Sequence, residues 1–189
     1  MAGLIVIYDA CILYSAPLRD LFMRLALTDL YQAKWTNDIH EEWIRNLLKN
    51  RPDLTRAQLE KTKEKMNMHV RDCLITRYKH LIKSIRLPDP NDKHVLAAAI
   101  QASAHIILTF NTTDFPSRAL EKYNIKAQHP DLFLQHLLAL APSLVIQTIQ
   151  ETRRSLKKPP KATDEYLAIL EQQSLPKTVR FLRQYKDLI

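Results

Sequence analysis

Segments typical of β-strands alternate with helical patterns over the first 128 residues of this chain, and no strand is predicted after residue 128. The four predicted strands are Leu4–Asp9, Ala33–Thr36, Ile106–Phe110 and Ile125–Gln128, of which the first and third are apolar enough to be buried on both faces. Strands that alternate with helices are joined by right-handed crossovers, which make neighbouring strands parallel. The sequence therefore predicts an α/β fold with a central parallel sheet of about four strands.

Helices are predicted between these strands and throughout the rest of the chain. The longest begins at the capping box of Thr55 and Gln58 and extends to about Ile82, with Leu74 on its buried face. The other predicted helices are Leu18–Leu30, Ile39–Lys49, Pro90–Ser103, Ser117–Tyr123, His129–Ala139, Pro142–Leu156, Thr163–Gln173 and Pro176–Tyr185. A chain of 189 residues can bury one main domain, predicted at residues 1–140, followed by a helical extension at residues 141–189, called the extension below.

Composition excludes several classes of protein. Gly3 is the only glycine, which rules out a glycine-rich phosphate loop or a dinucleotide-binding turn. Cys11 and Cys73 are too few and too far apart for a disulfide framework, and they fit a reducing cytoplasm. No segment has the length and hydrophobicity of a membrane span, and the apolar run near the N-terminus lacks the basic residues of a signal peptide. A cytoplasmic protein is therefore expected.

Positive charge is concentrated in one part of the chain. The protein has a formal net charge of +8, and the segment from Arg45 to Arg86 contains 12 Lys and Arg residues against 4 Asp and Glu residues. The residues from Glu151 onward are also net positive, so the remaining parts of the chain are net negative. A basic surface beside an acidic site suits a nucleic acid, whereas a basic segment by itself is more often a solvated helix face.

Four acidic residues stand where a strand ends or the next helix begins: Asp9, Glu42, Asp92 and Asp114. Open α/β sheets bind their ligands at this edge, outside the carboxyl ends of the strands. Two carboxylates about 4 Å apart repel each other by about 4 kcal/mol at an effective dielectric constant near 20, so such a group needs a counter-charge. Carboxylate oxygens favour Mg²⁺ or Mn²⁺ over zinc. The pattern therefore predicts a divalent-metal site.

Each acid also has a structural explanation. Asp9 is the hardest to explain in this way, because a carboxylate at the end of an apolar strand needs a partner. Asp92 lies in the first turn of a helix, where an acid interacts favourably with the helix dipole without any further role. Asp114 and Asn111 are also typical turn residues. Only the combination of the acids indicates a site.

Glu42 competes with Glu41 for the second position of the set. The two are about 100° apart on one predicted helix, and Ile39, Trp43 and Leu47 define its buried side. Both glutamates border that side, so the spacing alone does not choose between them.

At these residues the chain resembles the PIN-domain ribonucleases, and among them the VapC-type toxins of bacterial toxin–antitoxin pairs. The matching segments are Val6–Leu13, Trp35–Leu47, Asp89–Ala99 and Thr109–Pro116, and the resemblance covers about residues 1–135. It implies a three-layer fold in which helices flank the parallel sheet. This chain has Ala10 and Cys11 where many members have Thr or Ser and then Asn. The extension resembles the C-terminal helical region of one toxin subgroup.

The resemblance also implies an activity and a set of site residues. Asp9, Glu42, Asp92 and Asp114 would bind Mg²⁺ or Mn²⁺, and Thr109 and Asn111 would support them. Glu42 is preferred over Glu41 because its distance from Thr36 resembles the family's spacing. The family hydrolyses RNA, and its toxins are held inactive by an antitoxin; a homodimer is a further expectation. The alternatives are a nuclease that acts on DNA and a domain that binds RNA or protein without cleavage.

Overall fold

The computed structural model describes residues 3–189, and its centre is a parallel sheet with the strand order β2–β1–β3–β4. The strands are β1 (Ile5–Tyr8), β2 (Gln32–Lys34), β3 (Ile106–Leu108) and β4 (Lys126–Gln128). Val6, Ile7 and Tyr8 of the central strand are fully buried, since helices cover both faces of the sheet. The prediction of a three-layer α/β fold with four parallel strands is confirmed.

Ten α-helices connect and cover these strands within residues 3–189. They are α1 (Ala10–Tyr14), α2 (Ala16–Ala26), α3 (Asn37–Asn50), α4 (Arg56–His69), α5 (Lys93–Gln101), α6 (Ser117–Leu120), α7 (Pro130–Leu140), α8 (Pro142–Ser155), α9 (Thr163–Gln172) and α10 (Pro176–Leu182). The helix α1 was not predicted; it has five residues and begins directly after β1, with Asp9 as its N-cap. None of the helices in this part of the chain has the length and apolar character needed to cross a membrane.

The prediction of one long helix from Thr55 to Ile82 is wrong. Its start is confirmed by the capping box of Thr55 and Gln58, but α4 ends at His69. Asp72 and Arg77 have left-handed backbone angles, φ 53° and 61°, which do not continue a right-handed helix. Trp35 then donates its backbone N–H to the Cys73 carbonyl oxygen (2.9 Å), which pairs this segment with the end of β2.

This correction changes two sequence-based expectations. Leu74, expected on a buried helix face, lies in the irregular segment and is 38% exposed. The basic segment from Arg45 to Arg86 is not one helical face either. It extends over the end of α3, the whole of α4, the irregular segment and a 3₁₀ turn at Lys79–Ser84.

The extension packs onto the main domain, and both parts share one hydrophobic core. Val145, Ile149, Leu170 and Leu182 are fully buried in it. Helix α8 lies against α2, and α10 lies against α7. The apolar residues of the extension are thus largely covered by the chain itself, while the division of domains at residues 140 and 141 stays a prediction.

A buried carboxylate joins α7 to α10. Asp131, which is 4% exposed, accepts hydrogen bonds from the backbone N–H groups of Lys177 (2.9 Å) and Thr178 (2.8 Å). These N–H groups lie in the first turn of α10, where a helix has donors without partners inside the helix and a partial positive charge. Asp131 therefore caps a helix that is distant in sequence.

Candidate functional site

The candidate site lies at the edge of the sheet formed by the carboxyl ends of the strands. It is next to β1, the strand at which the strand order changes direction. From β1 the sheet grows to β2 on one side and to β3 on the other. This reversal opens a crevice between the ends of β1 and β3, the usual place for a ligand in an open α/β sheet. Asp9 directly follows β1, and Thr109 directly follows β3.

Asp9 is 5% exposed and is held by three hydrogen bonds. Its Oδ1 accepts from the backbone N–H of Ala10 (2.6 Å), and its Oδ2 accepts from Thr109 Oγ1 (2.7 Å) and Cys11 Sγ (3.2 Å). Burial raises the pKa of the Asp9 carboxyl group, and the nearby Glu42 adds to this effect, although the three hydrogen bonds oppose it. The orientation of this carboxylate is therefore fixed by the protein itself.

Thr109 and Cys11 connect Asp9, which follows β1, to the backbone that follows β3. Thr109 is fully buried, and its hydroxyl oxygen also accepts a hydrogen bond from the backbone N–H of Asn111 (3.0 Å). Cys11 Sγ accepts from the backbone N–H of Phe110 (3.4 Å). Burial raises the pKa of the Cys11 thiol, so the sulfur keeps its proton and donates it to Asp9. At Cys11, where the resembling family often has Asn, the thiol supplies the contact to Asp9.

Glu42 and Glu41 have different surroundings. The Glu42 carboxylate lies beside His94, with Oε2 3.2 Å from Nε2, and its charge reaches Asp9 and Asp92. Glu41 is half exposed and forms an ion pair with Arg56 (2.7 Å). The structure therefore brings Glu42 to the crevice and leaves Glu41 on the surface.

A buried polar network fixes the helix that carries Glu42. His40 is fully buried; its Nδ1 accepts from Trp43 Nε1 (2.9 Å), which places its proton on Nε2, 3.0 Å from Asn67 Oδ1. The same Asn67 oxygen accepts from Trp35 Nε1 (2.8 Å). The network, called the His40 network below, connects α3 to α4 and to the end of β2. Glu42 therefore stands on a helix with a fixed rotation.

Asp92 and Asp114 complete the cluster. Asp92 begins α5 after a short 3₁₀ turn that Asp89 caps, and Asp114 lies in the 3₁₀ turn after β3. The pKa of the Asp92 carboxyl group rises to about 7, first through burial and then through the charges of nearby acids: Asp9, Asp89, Asp114 and Glu42. Asp92 thus lies within electrostatic reach of the other three predicted acids, Asp9, Glu42 and Asp114.

The cluster is an electrostatic one and is not a finished coordination shell. Within residues 3–189, no three carboxylate, imidazole or thiol groups are already arranged to hold a metal ion. The set nevertheless fits a hard divalent cation, because its donors are carboxylate oxygens. Burial and neighbouring acids raise the pKa of Asp92, and no cationic side chain is among the groups that affect it.

Sequence reasoning missed His94 as a partner of Glu42. His94 is in the first turn of α5, two residues after Asp92, and its buried Nδ1 has no hydrogen-bond partner in the described part of the chain. The one signal in the sequence was that His94 lies two residues after Asp92, a predicted metal-binding residue. Its contact with Glu42 joins residues 52 apart in the chain, which no local pattern reveals.

Comparisons with known proteins agree with this architecture. The family model described as the PIN domain matches residues 5–113, more than half of the chain, and the model described as the VapC50 C-terminal domain matches residues 130–184. The "Putative ribonuclease VapC50" of Mycobacterium tuberculosis is 53% identical over 49 residues, which is 26% of this chain and 29% of that protein. The match thus spans less than a third of that relative's length. No solved structure matches. From its four-stranded parallel sheet and the match over residues 5–113, the chain belongs to the PIN-domain family.

Proposed function

We propose that this protein is a metal-dependent endoribonuclease that hydrolyses RNA phosphodiester bonds, and that it is the toxin of a type II toxin–antitoxin system. The observation that carries the proposal is the position of Asp9, Glu42, Asp92 and Asp114 around one edge of the sheet, where burial and the neighbouring acids raise the pKa of Asp92 to about 7. Such a site has a deficit of positive charge that a divalent cation would correct. Membership of the PIN-domain family and the similarity to a protein named as a ribonuclease support the same activity.

Four carboxylates would hold the metal: Asp9, Glu42, Asp92 and Asp114. Mg²⁺ and Mn²⁺ are the cations that this donor set favours. When bound, such a cation lowers the pKa of a water molecule and stabilises negative charge on a phosphate. Thr109 and Cys11 keep Asp9 in one orientation, and His94 does the same for Glu42. We assign Thr109 and Asn111 to support of the carboxylates.

The basic surface supports a nucleic-acid substrate. Within residues 3–189, eight of the twelve cations between Arg45 and Arg86 form no ion pair: Arg45, Lys49, Lys61, Lys65, Arg71, Arg77, Lys83 and Arg86. All eight are exposed, so their charge is available to the phosphates of RNA. An acidic crevice alone would repel this substrate.

The partners and the location of the protein belong to the same proposal. We infer an antitoxin as protein partner from the resemblance to VapC-type toxins and from the match of the C-terminal helices. A reducing cytoplasm is the proposed compartment and fits the free thiols of Cys11 and Cys73. A homodimer is a separate prediction, which light scattering of the purified protein would test.

Cleavage of labelled RNA tests the activity. The purified protein is incubated with single-stranded RNA in Mn²⁺, in Mg²⁺ and in EDTA, and the same is done with DNA of matched sequence. We expect RNA cleavage that EDTA stops and that Asp9→Asn abolishes, while Asp53→Asn, an exposed surface variant, cleaves normally. Cleavage of DNA alone would establish the DNA nuclease instead. Binding of RNA without cleavage under every metal condition would establish the binding domain.

A further inference from the structure

A cavity lies between α2 and the extension, outside the carboxylate cluster. It has a volume of about 460 Å³, within the range of small-ligand sites. Ala16, Pro17 and Asp20 of α2 line one side, and the other side is formed by the end of α8, the segment 157–161 and α9. This space is called the junction cavity below. Both parts of the chain contribute to it, so it exists only because the extension is docked.

The cationic side chains of the junction cavity exceed its acidic ones. Lys157, Lys158 and Lys161 line it, against the single acid Asp20 in this part of the structure. Lys161 is 3.6 Å from Glu165, whereas Lys157 and Lys158 have no carboxylate within ion-pair distance among residues 3–189. Asp20 is itself paired with Arg24 (3.3 Å). The cavity therefore favours an anion.

A buried hydroxyl group in the wall of the cavity also lacks a partner. Tyr166 is 1% exposed, and its Oη forms no hydrogen bond within residues 3–189. Thr152 lies close enough to limit the rise in the Tyr166 pKa, but their contact lacks the distance or angle of a hydrogen bond, and the Thr152 hydroxyl donates its own proton to the Thr148 carbonyl oxygen (2.7 Å). Buried hydroxyl groups are nearly always hydrogen-bonded, so a ligand that moves the side chains covering the Tyr166 oxygen would complete this one.

The junction cavity shares part of one wall with a groove that begins beside the candidate site. This groove, of about 900 Å³, is lined at one end by Cys11 and Phe110, which flank Asp9 and Thr109. Ala16 and Pro17 line both the groove and the junction cavity. An RNA strand that follows the groove from the acids would pass this shared wall, on the side where the lysines of the extension lie.

We propose that the junction cavity binds a nucleotide of the RNA strand, away from the bond that is cleaved. This inference rests on the proposed function, because it names a further binding position for the same substrate. The phosphate would contact Lys157 and Lys158, and the base would lie against Pro17 and Ile169. The Tyr166 hydroxyl would hydrogen-bond to the base edge. A cavity that is apolar around one hydroxyl and cationic at its rim matches the two parts of a nucleotide.

The charge of the cavity is tested by RNA affinity at several salt concentrations. Fluorescence anisotropy with a labelled single-stranded RNA of about 20 nucleotides is measured in EDTA for the wild type and for K157Q/K158Q. Each lost phosphate contact lowers the log–log salt slope by about 0.7, and the two lysines share one phosphate, so the double variant should lose about 0.7. The matched variant K122Q/K126Q changes the same charge near β4 and should keep the wild-type slope. Equal slopes for all three proteins, or an equal loss in both variants, would overturn the proposal.

Tyr166→Phe tests the unpaired hydroxyl through two measurements, RNA affinity and thermal unfolding, which should not change in the same direction. RNA affinity should fall by about fivefold, the effect of one hydrogen bond. The midpoint of thermal unfolding should stay or rise, because the variant removes a buried polar group without a partner. Tyr185→Phe, at a half-buried tyrosine of the extension, should change neither readout. Unchanged RNA affinity in Tyr166→Phe would overturn the role of the hydroxyl, whatever the unfolding midpoint.

These measurements distinguish this inference from the proposed function. If the wild type cleaves RNA and both cavity variants bind it normally, the inference alone is wrong. If the wild type neither binds nor cleaves RNA, both are wrong.

Discussion

The carboxylate cluster and the His40 network are both groups of polar side chains in the interior of the protein. They differ in whether their hydrogen bonds and charges are balanced by partners. Both ring nitrogens of His40 have partners, and the network contains no charge. In the cluster, Asp92 is surrounded by acids that raise its pKa to about 7. A satisfied network fixes a structure. A cluster with unbalanced charge lowers the stability of the protein, as expected of the proposed metal site.

Replacing one acid should separate the two glutamates most clearly. Glu42→Gln should lower RNA cleavage by more than about a hundredfold, because even residues that only orient metal ligands contribute 10- to 100-fold. Glu41→Gln is the matched control and should cleave within about twofold of the wild type, since exposed ion pairs contribute little. Initial rates in Mn²⁺ provide the measurement. The reverse result would place the neighbouring residue at the site.

Metal binding should offset the repulsion between the carboxylates and stabilise the folded protein. Mn²⁺ at about 100 times its dissociation constant, bound only by the folded protein, should add about 2.7 kcal/mol to the free energy of unfolding. For a chain of this length the midpoint of thermal unfolding would rise by about 5–10 °C. Asp114→Asn should lose most of this rise. A wild-type midpoint that does not change in millimolar Mn²⁺ would contradict a metal site.

The His40 network should instead lose stability in mild acid. Burial lowers the pKa of His40 to about 4, from the ordinary 6.5 that the residue regains on unfolding. Between pH 7 and pH 5 the His40 side chain takes up a proton in the unfolded chain but not in the folded protein. The free energy of unfolding therefore decreases as the pH is lowered. The expected loss is about 2 kcal/mol.

Urea unfolding at both pH values measures this loss. His40→Gln should be less stable at pH 7 and should show a smaller difference between the two pH values than the wild type. His80→Gln, at an exposed histidine, should keep the full difference. Equal pH dependence in all three proteins would show that His40 titrates normally.

The smallest expected effect has the opposite sign. Because the pKa of Asp92 is about 7 in the folded protein and returns to the ordinary 3.8 on unfolding, the folded protein loses stability as the pH rises from about 4 to about 7. Asp92→Asn should therefore stabilise the metal-free protein by about 1 kcal/mol at pH 8, after allowance for solvent screening, and by less at pH 5. Asp187→Asn, at an exposed residue, should be neutral at both pH values. A destabilised Asp92→Asn protein at pH 8 would place a cationic partner beside this carboxylate.

Local patterns in the sequence predicted the elements of the sheet better than the contacts between them. Buried strands such as β1 and β3 are apolar along their whole length, so their positions were evident. The end of α4 was not, because Val70, Cys73 and Tyr78 have helical spacing, although the backbone turns at Asp72. Their burial comes from contact with Trp35 and the sheet edge, which depends on the tertiary structure.

The same limit applies to the candidate site. Asp9 and Asp92 could be proposed because each follows a recognisable strand or begins a recognisable helix. The contact between His94 and Glu42, and the junction cavity between α2 and α9, join segments far apart in sequence. Neither leaves a periodic signal in the chain, so the structure was needed to find them.

The capping of α10 by Asp131 has a consequence for synthesis. A chain leaves the ribosome from its N-terminus, and Asp131 emerges 46 residues before Lys177, the first of its two backbone donors. Until that segment appears, the carboxylate either stays hydrated on an unfinished α7 or is buried at a large energetic cost. The PIN domain of a nascent chain therefore cannot reach its final form before the helices that follow it are available. Maturation of the two parts is one event, and a ribosome stalled between them would hold an incompletely folded protein.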